Sequence, residues 1–177
     1  MPVTRSSIAL IGSPNSGKSL LFNRLTGLNQ KVANFPGITV DISAGRSLSN
    51  RAVQYLDFPG IYSMQAMSAE EKLAVDAFDN ALQTDHLDAV ICVVDATRLE
   101  KGLIFALQVL EACRRHNKPL LIAGNMCDVL EQHKMQLDAP GLANALNVQV
   151  LPISGKTGLG LDELPAALAA ARAPTTA

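Results

Sequence analysis

Gly12-Ser13-Pro14-Asn15-Ser16-Gly17-Lys18-Ser19 decides the fold. The octet has the form GxxxxGK[ST], and its flanks supply the context that this form requires. Ile8 to Ile11, just before it, is a short apolar run that predicts a buried strand. Leu20 to Leu25, just after it, is closed by Gly27 and predicts a helix with a glycine terminus. Strand, glycine-rich turn and helix in that order make a cradle for a polyphosphate. Glycines let backbone N–H groups converge on the anion, and the helix N-terminus adds its dipole. In such a cradle Gly12, Pro14, Asn15, Ser16 and Gly17 form the loop. The Lys18 ammonium neutralises β- and γ-phosphates, and the Ser19 hydroxyl ligates Mg²⁺.

Downstream of the octet, Leu28 to Gly37 contains Asn34 and Pro36 and reads as an exposed loop. Thr39 to Ala44 and Ala52 to Asp57 predict strands joined by a polar turn. Pro59-Gly60 opens a loop over Phe58 to Met67, and Ser68 with Glu71 has capping-box spacing. The helix that follows carries Leu73, Val75, Phe78 and Leu82 at roughly helical spacing. Ala89 to Val94 and Leu120 to Ala123 predict buried strands on either side of a helix over Leu99 to His116, with Leu103, Leu107 and Leu110 in register. A short helix over Leu142 to Leu146, a strand over Val148 to Ile153 and a helix over Leu161 to Ala171 complete the chain. Apolar runs alternating with helical patterns predict a three-layer α/β fold. Its sheet is expected to be six-stranded and mostly parallel, with one antiparallel edge strand. One domain is expected over residues 1–171, with a disordered tail over 172–177.

Composition narrows the function. The chain has 177 residues, 48% hydrophobic and 18% charged, which excludes disordered and collagen-like classes. Lys+Arg total 15 against 16 Asp+Glu, so no basic excess points to nucleic acid. Aromatics are 4% and Trp is absent, too few rings for a base-stacking platform. Cys92, Cys113 and Cys127 are odd in number and form no CxxC, which suits reduced thiols. His86, His116 and His133 are scattered among polar neighbours and read as surface residues. No apolar run approaches the ~18 residues of a membrane span, and Met1 to Ser7 lacks a signal-peptide pattern. A cytoplasmic domain with no direct membrane insertion is expected.

Three further loops carry candidate chemistry. Asp57 ends a strand and is placed to hold Mg²⁺, while Pro59-Gly60 turns a backbone N–H toward the γ-phosphate; a plain DxPG turn is the alternative. Thr39 either starts a strand or reaches Mg²⁺ when a γ-phosphate is present. Asn125-Met126-Cys127-Asp128 follows an apolar strand. The Asp128 carboxylate can accept both N1–H and the 2-amino group of guanine, whereas adenine offers neither donor. Asn125 can tie this loop to the phosphate loop. Ser154-Gly155-Lys156 ends the next strand, where a backbone N–H could bond guanine O6 and Ser154 could brace Asp128. Guanine nucleotide, GTP or GDP, is the expected ligand.

Together these residues resemble the small Ras-like P-loop GTPases, and within them the cytoplasmic G domain of the ferrous iron transport protein B family. Gly12 to Asn23, Val32-Ala-Asn-Phe-Pro-Gly-Ile-Thr-Val40, Leu56-Asp-Phe-Pro-Gly-Ile-Tyr-Ser63 and Val93-Val-Asp-Ala-Thr-Arg-Leu-Glu100 carry the resemblance. Met126 in place of the usual Lys is also similar to that family. Ser13 stands where Asn is often seen, and Gly155 where Ala is more usual. The resemblance implies a K⁺ ion held by the Asn15 amide oxygen, supplying charge that an arginine finger would otherwise bring. It also implies a helical regulatory domain and a membrane transporter domain of the same protein as partners, with the parent in the bacterial inner membrane. Neither domain lies within these 177 residues.

Many GTPases place Gln just after the DxPG turn to orient the attacking water. Ile61 stands there and has no hydrogen-bonding group. Asn15, Lys18, Thr39 and Gly60 are therefore the expected catalytic set, with slow turnover. Two other functions are compatible with the motifs: a stand-alone GTPase acting on ribosomal or transfer RNA, and a GTP-binding interaction module with negligible turnover.

Overall fold

A computed structural model describes residues 5–175. The chain runs β1 (Ser6–Gly12), α1 (Lys18–Thr26), β2 (Gln30–Ala33), β3 (Ile42–Arg46), β4 (Val53–Asp57), α2 (Ala69–Leu82), β5 (Ala89–Asp95), α3 (Leu99–Arg115), β6 (Leu120–Asn125), α4 (Cys127–Gln132), α5 (Ala139–Leu146), β7 (Gln149–Pro152) and α6 (Leu164–Ala170). The strands form one seven-stranded sheet in the order β2-β3-β4-β1-β5-β6-β7. β4, β1, β5, β6 and β7 pair in parallel, and β3 is antiparallel to both β2 and β4.

Period-two alternation in the central strands feeds two cores. Ala9 and Ile11 point with Val90, Cys92 and Val94 to one face, where Phe78, Phe105 and Val109 cover them. Ile8 and Leu10 point with Ile91 and Val93 to the other, under Leu21, Phe22 and Leu164. Helices α2 and α3 thus cover one face, α1 and α6 the other, which is the expected three-layer arrangement. Each fully buried Leu, Ile or Phe contributes about 1.5–3 kcal/mol.

The sheet has seven strands where the sequence predicts six, because Gln30–Ala33 pairs antiparallel with β3 at the edge. Its residues are mostly exposed and half polar, so only the ladder, and no buried face, marks it as a strand. α2 does open with its cap: the Ser68 hydroxyl accepts from the Glu71 N–H at 3.1 Å. The buried stripe is Ala74, Ala77, Phe78, Ala81 and Leu82, while Leu73 is exposed. In α3, likewise, Leu107 is exposed and Phe105, Ala106, Val109, Leu110, Ala112 and Cys113 are buried. The expected final helix begins with a 3-10 turn at Leu161–Glu163. At the start of the expected tail, Leu120 N–H donates to Arg172 O at 3.2 Å, and Asn147 Nδ2 donates to Thr175 Oγ1 at 2.8 Å. Positions 176 and 177, like 1–4, lie outside the described residues. Among the described residues, no helix is long and apolar enough to cross a membrane.

Candidate functional site

β1 ends at Gly12 and α1 begins at Lys18, so the octet bridges strand to helix at the sheet's C-terminal edge. Ligands of open α/β sheets bind at that edge. Within the loop Ser16 N–H donates to Ser13 O at 3.2 Å, and Asn15 and Gly17 adopt left-handed backbone with φ of 69° and 83°. A side chain at position 17 would both strain that backbone and collide with Asn125 Nδ2. A cavity of about 370 Å³ opens here, lined by Ser13, Pro14, Asn15, Gly17, Lys18, Ser19, Leu20 and Gly60. The Lys18 side chain is buried and its ammonium is paired with the Asp57 carboxylate. The pairing follows from the sheet: β4 lies beside β1 with Asp57 in register with Leu10.

The loop after Asp57 is folded onto the phosphate loop. Phe58 N–H donates to Leu10 O at 3.2 Å and Ile61 N–H to Gly12 O at 3.1 Å. Both side chains are fully buried in the core. Gly60, between them, presses on Pro14: a Cβ there would lie 3.2 Å from the Pro14 ring. The Ile61 side chain consequently faces the core, and only its backbone faces the phosphate loop. Thr39 is exposed and is absent from the cavity lining. Its neighbours are held elsewhere: Phe35, Ile38 and Val40 pack on the core, and Asn80 Nδ2 donates to Gly37 O at 3.3 Å.

The second half of the site is built at the ends of β6 and β7, which pair in parallel. Asn125 is buried and bonds in two directions. Its Nδ2 donates to Ser16 O at 2.9 Å, and its Oδ1 accepts from Gly155 N–H at 2.8 Å. One carboxamide thus ties the phosphate loop to both base-loop candidates, as the sequence suggests it can. Met126 turns the chain with φ 66°, and Cys127 N–H closes the loop on Ile153 O at 3.0 Å. Asp128 lies half-buried in the first turn of α4. Ser154 differs from expectation: its hydroxyl accepts from Thr157 N–H at 3.0 Å, and among the described residues it makes no hydrogen bond to Asp128. The tight turn back through Gly158 keeps that hydroxyl within its own loop, where Gly158 N–H donates to Ser154 O at 2.9 Å. Lys156 is exposed at the side chain.

Two residues outside the motifs also shape the site. Arg24, on α1, donates from Nε to Gly155 O at 2.8 Å and from Nη2 to Lys156 O at 2.5 Å. Gln108, on α3, accepts from Ser63 Oγ and Met64 N–H in the loop after Gly60. An arginine in the last turn of α1 and a glutamine on α3 match no spacing rule, so the sequence offers no signal for either. Cys127 lies inside the base loop, where its thiol donates to Gly124 O at 3.2 Å and burial pushes its pKa up.

Comparison with known proteins places this geometry. The chain is 38% identical over 159 residues to the Fe(2+) transporter FeoB of Leptospira biflexa, covering 89% of this chain and 22% of that protein. It is 36% identical over 163 residues to the Fe(2+) transporter FeoB of Salmonella typhimurium, covering 92% and 21%. The chain therefore spans about a fifth of the length of these relatives. Among solved structures, a mutant NFeoB from S. thermophilus bound to mGDP superposes with TM-score 0.80 at 39% identity, covering 95% of this chain and 62% of that one. NFeoB from S. thermophilus bound to GDP.AlF4- and K+ gives 0.77 at 39%, covering 97% and 64%. The family model for ferrous iron transport protein B matches residues 6–168, and the chain belongs to that family.

Proposed function

We propose that this chain binds GTP and hydrolyses it to GDP and phosphate, as the switch module of a ferrous-iron membrane transporter. The observation that carries the reading is the Asn125 bridge. It holds the phosphate cradle and the Asp128 loop in one fixed site, with hydrogen bonds of 2.9 and 2.8 Å. Related chains bound to mGDP, GMPPNP and GDP.AlF4- support the choice of nucleotide.

In this reading the converging N–H groups at the start of α1 and the Lys18 ammonium hold the phosphates and offset the charge that builds on the β–γ bridge. The Gly60 N–H faces the γ-phosphate, and Asp128 takes the two guanine donors. Ser19, on the cavity wall, and Asp57, paired with the lining Lys18, are a hydroxyl and a carboxylate, hard oxygen donors that fit Mg²⁺. The exposed Asn15 carboxamide on the cavity rim fits K⁺. Bound there, the two cations supply positive charge beside the phosphates. Thr39 joins the site when its loop moves in from the position that Asn80 holds. The buried Ile61 supports slow turnover, on the order of 10⁻⁴ to 10⁻² per second. Helical regulatory and membrane transporter domains of the same protein are the partners, the parent residing in the bacterial inner membrane with this domain on the cytoplasmic side.

Phosphate release from GTP, in KCl and in NaCl, tests the proposal with the wild type and Asn15→Ala. Slow release that K⁺ accelerates, with the acceleration lost in Asn15→Ala, is the expected result. Equal wild-type rates in the two salts remove the potassium role. GTP binding with no release in either salt refutes hydrolysis and leaves an interaction module.

A further inference from the structure

Gln108 stands outside every nucleotide motif, yet it is the contact by which α3 holds the loop after Gly60. Its Oε1 accepts two hydrogen bonds, from Met64 N–H at 2.7 Å and from Ser63 Oγ at 3.1 Å. The Ser63 hydroxyl in turn accepts from Gln65 N–H at 3.0 Å. Since a backbone N–H can only donate, the carboxamide must present oxygen to the loop. The base of the contact is rigid: Phe105, Val109 and Leu110, on the same stretch of α3, are buried in the core. The loop is therefore fastened on both sides of Gly60, before it by Phe58 N–H on Leu10 O, and after it by Ile61 N–H on Gly12 O and by Ser63 and Met64 on Gln108.

We propose that Gln108 is a positioning residue for GTP hydrolysis, clamping Ser63 and Met64 so that Gly60 is held against the phosphate cavity. The role rests on the GTPase reading above. It acts on the hydrolytic step and leaves binding of the diphosphate alone, because Gly60 meets the nucleotide only at the γ-phosphate. Two hydrogen bonds to one acceptor set the scale of what the clamp can lend to the loop.

The test uses Gln108→Leu, which keeps the volume and removes the acceptor, beside Gln108→Glu, which keeps an oxygen in the same place. Single-turnover phosphate release is expected to fall about tenfold in Gln108→Leu and to stay within about twofold of wild type in Gln108→Glu. GDP affinity is expected to stay within about twofold in both. The Met64 amide is expected to exchange with deuterium faster in Gln108→Leu alone. A packing role would order the variants the other way, Leu above Glu. Wild-type rates in Gln108→Leu, or an equal loss in Gln108→Glu, overturn the proposal. Unchanged Met64 exchange in Gln108→Leu overturns it as well. If the wild type releases no phosphate, the GTPase reading fails and this role with it, and Met64 exchange then reads the clamp alone.

Discussion

Replacing Asn125 by alanine cuts the link between the two halves of the site. The side chain is 2% exposed, and both of its hydrogen bonds go to backbone groups. Truncation leaves the Ser16 carbonyl and the Gly155 N–H facing a void. A buried polar group left without a partner costs about 1–3 kcal/mol, so the pair should cost about 3 kcal/mol in total. For a chain of this length that corresponds to a fall in Tm of about 6–12 °C. Nucleotide affinity should drop further than stability alone implies, because the phosphate loop and the Asp128 loop then have to be ordered separately by the ligand; we expect a loss of at least tenfold for GDP. Asn125→Asp is the informative companion. It keeps an acceptor for Gly155 N–H but turns an oxygen toward the Ser16 carbonyl, so it should bind nucleotide no better than the alanine variant. Urea unfolding with and without GDP, and titration with a fluorescent GDP analogue, read the two effects. A loss under about 1 kcal/mol with unchanged GDP affinity refutes the bridge.

Three other outcomes follow from named contacts. Ile61→Gln should lower stability by about 2–3 kcal/mol and leave hydrolysis no faster, since the side chain is fully buried where an unpaired amide is costly; a rate gain would place the side chain at the phosphates. Asp128→Asn should erase preference for GTP over xanthosine triphosphate in competition binding, and an unchanged preference would sink the base assignment. Burial pushes Cys113 up to about 12 and Cys92 up as well. Both thiols therefore stay protonated in the native state while the unfolded chain ionises near pH 8.5, so stability is full below that pH and falls above it by about 1.4 kcal/mol per thiol per unit. Urea midpoints from pH 7 to 10 should show a steeper fall for the wild type than for a Cys92→Ala, Cys113→Ala variant, and parallel curves would refute the assignment.

Legibility in the sequence tracked the physics that each feature uses. The phosphate loop was readable because backbone geometry forces glycine at fixed offsets, and the central strands because burial on two faces leaves unbroken apolar runs. β2 was hidden because an edge strand needs no buried side: Gln30, Lys31 and Val32 are all exposed. Apolar spacing finds Phe78, Leu82 and Leu110 on the inner faces of α2 and α3 but misses Ala74, Ala77, Ala81, Ala106 and Ala112, which close approach to the sheet favours, while Leu73 and Leu107 turn outward. α4 is six residues long, too short to display a period. Asn125 was found as a bridge because strand ends at one sheet edge must meet. Ser154 serves its own loop, its hydroxyl accepting from the nearby Thr157 N–H, a local turn contact that strand-end position does not signal. Arg24 and Gln108 bond backbone groups far away in the chain, and such contacts leave no local pattern.

Arg24 carries one more consequence. Lys18 and Arg24 are six residues apart on one helix, about 9 Å along its axis. The first lines the phosphate-loop cavity and pairs with Asp57, and the second fastens the carbonyls of Gly155 and Lys156 in the loop after β7. α1 therefore works as a caliper of fixed opening. In the proposed site it would set the span between phosphates and base as well as contribute to their chemistry. In the proposed site, the phosphate and base loops would separate only once Arg24 or Asn125 lets go of its backbone partners, which makes the bond between guanidinium and loop a place where nucleotide exchange could be controlled.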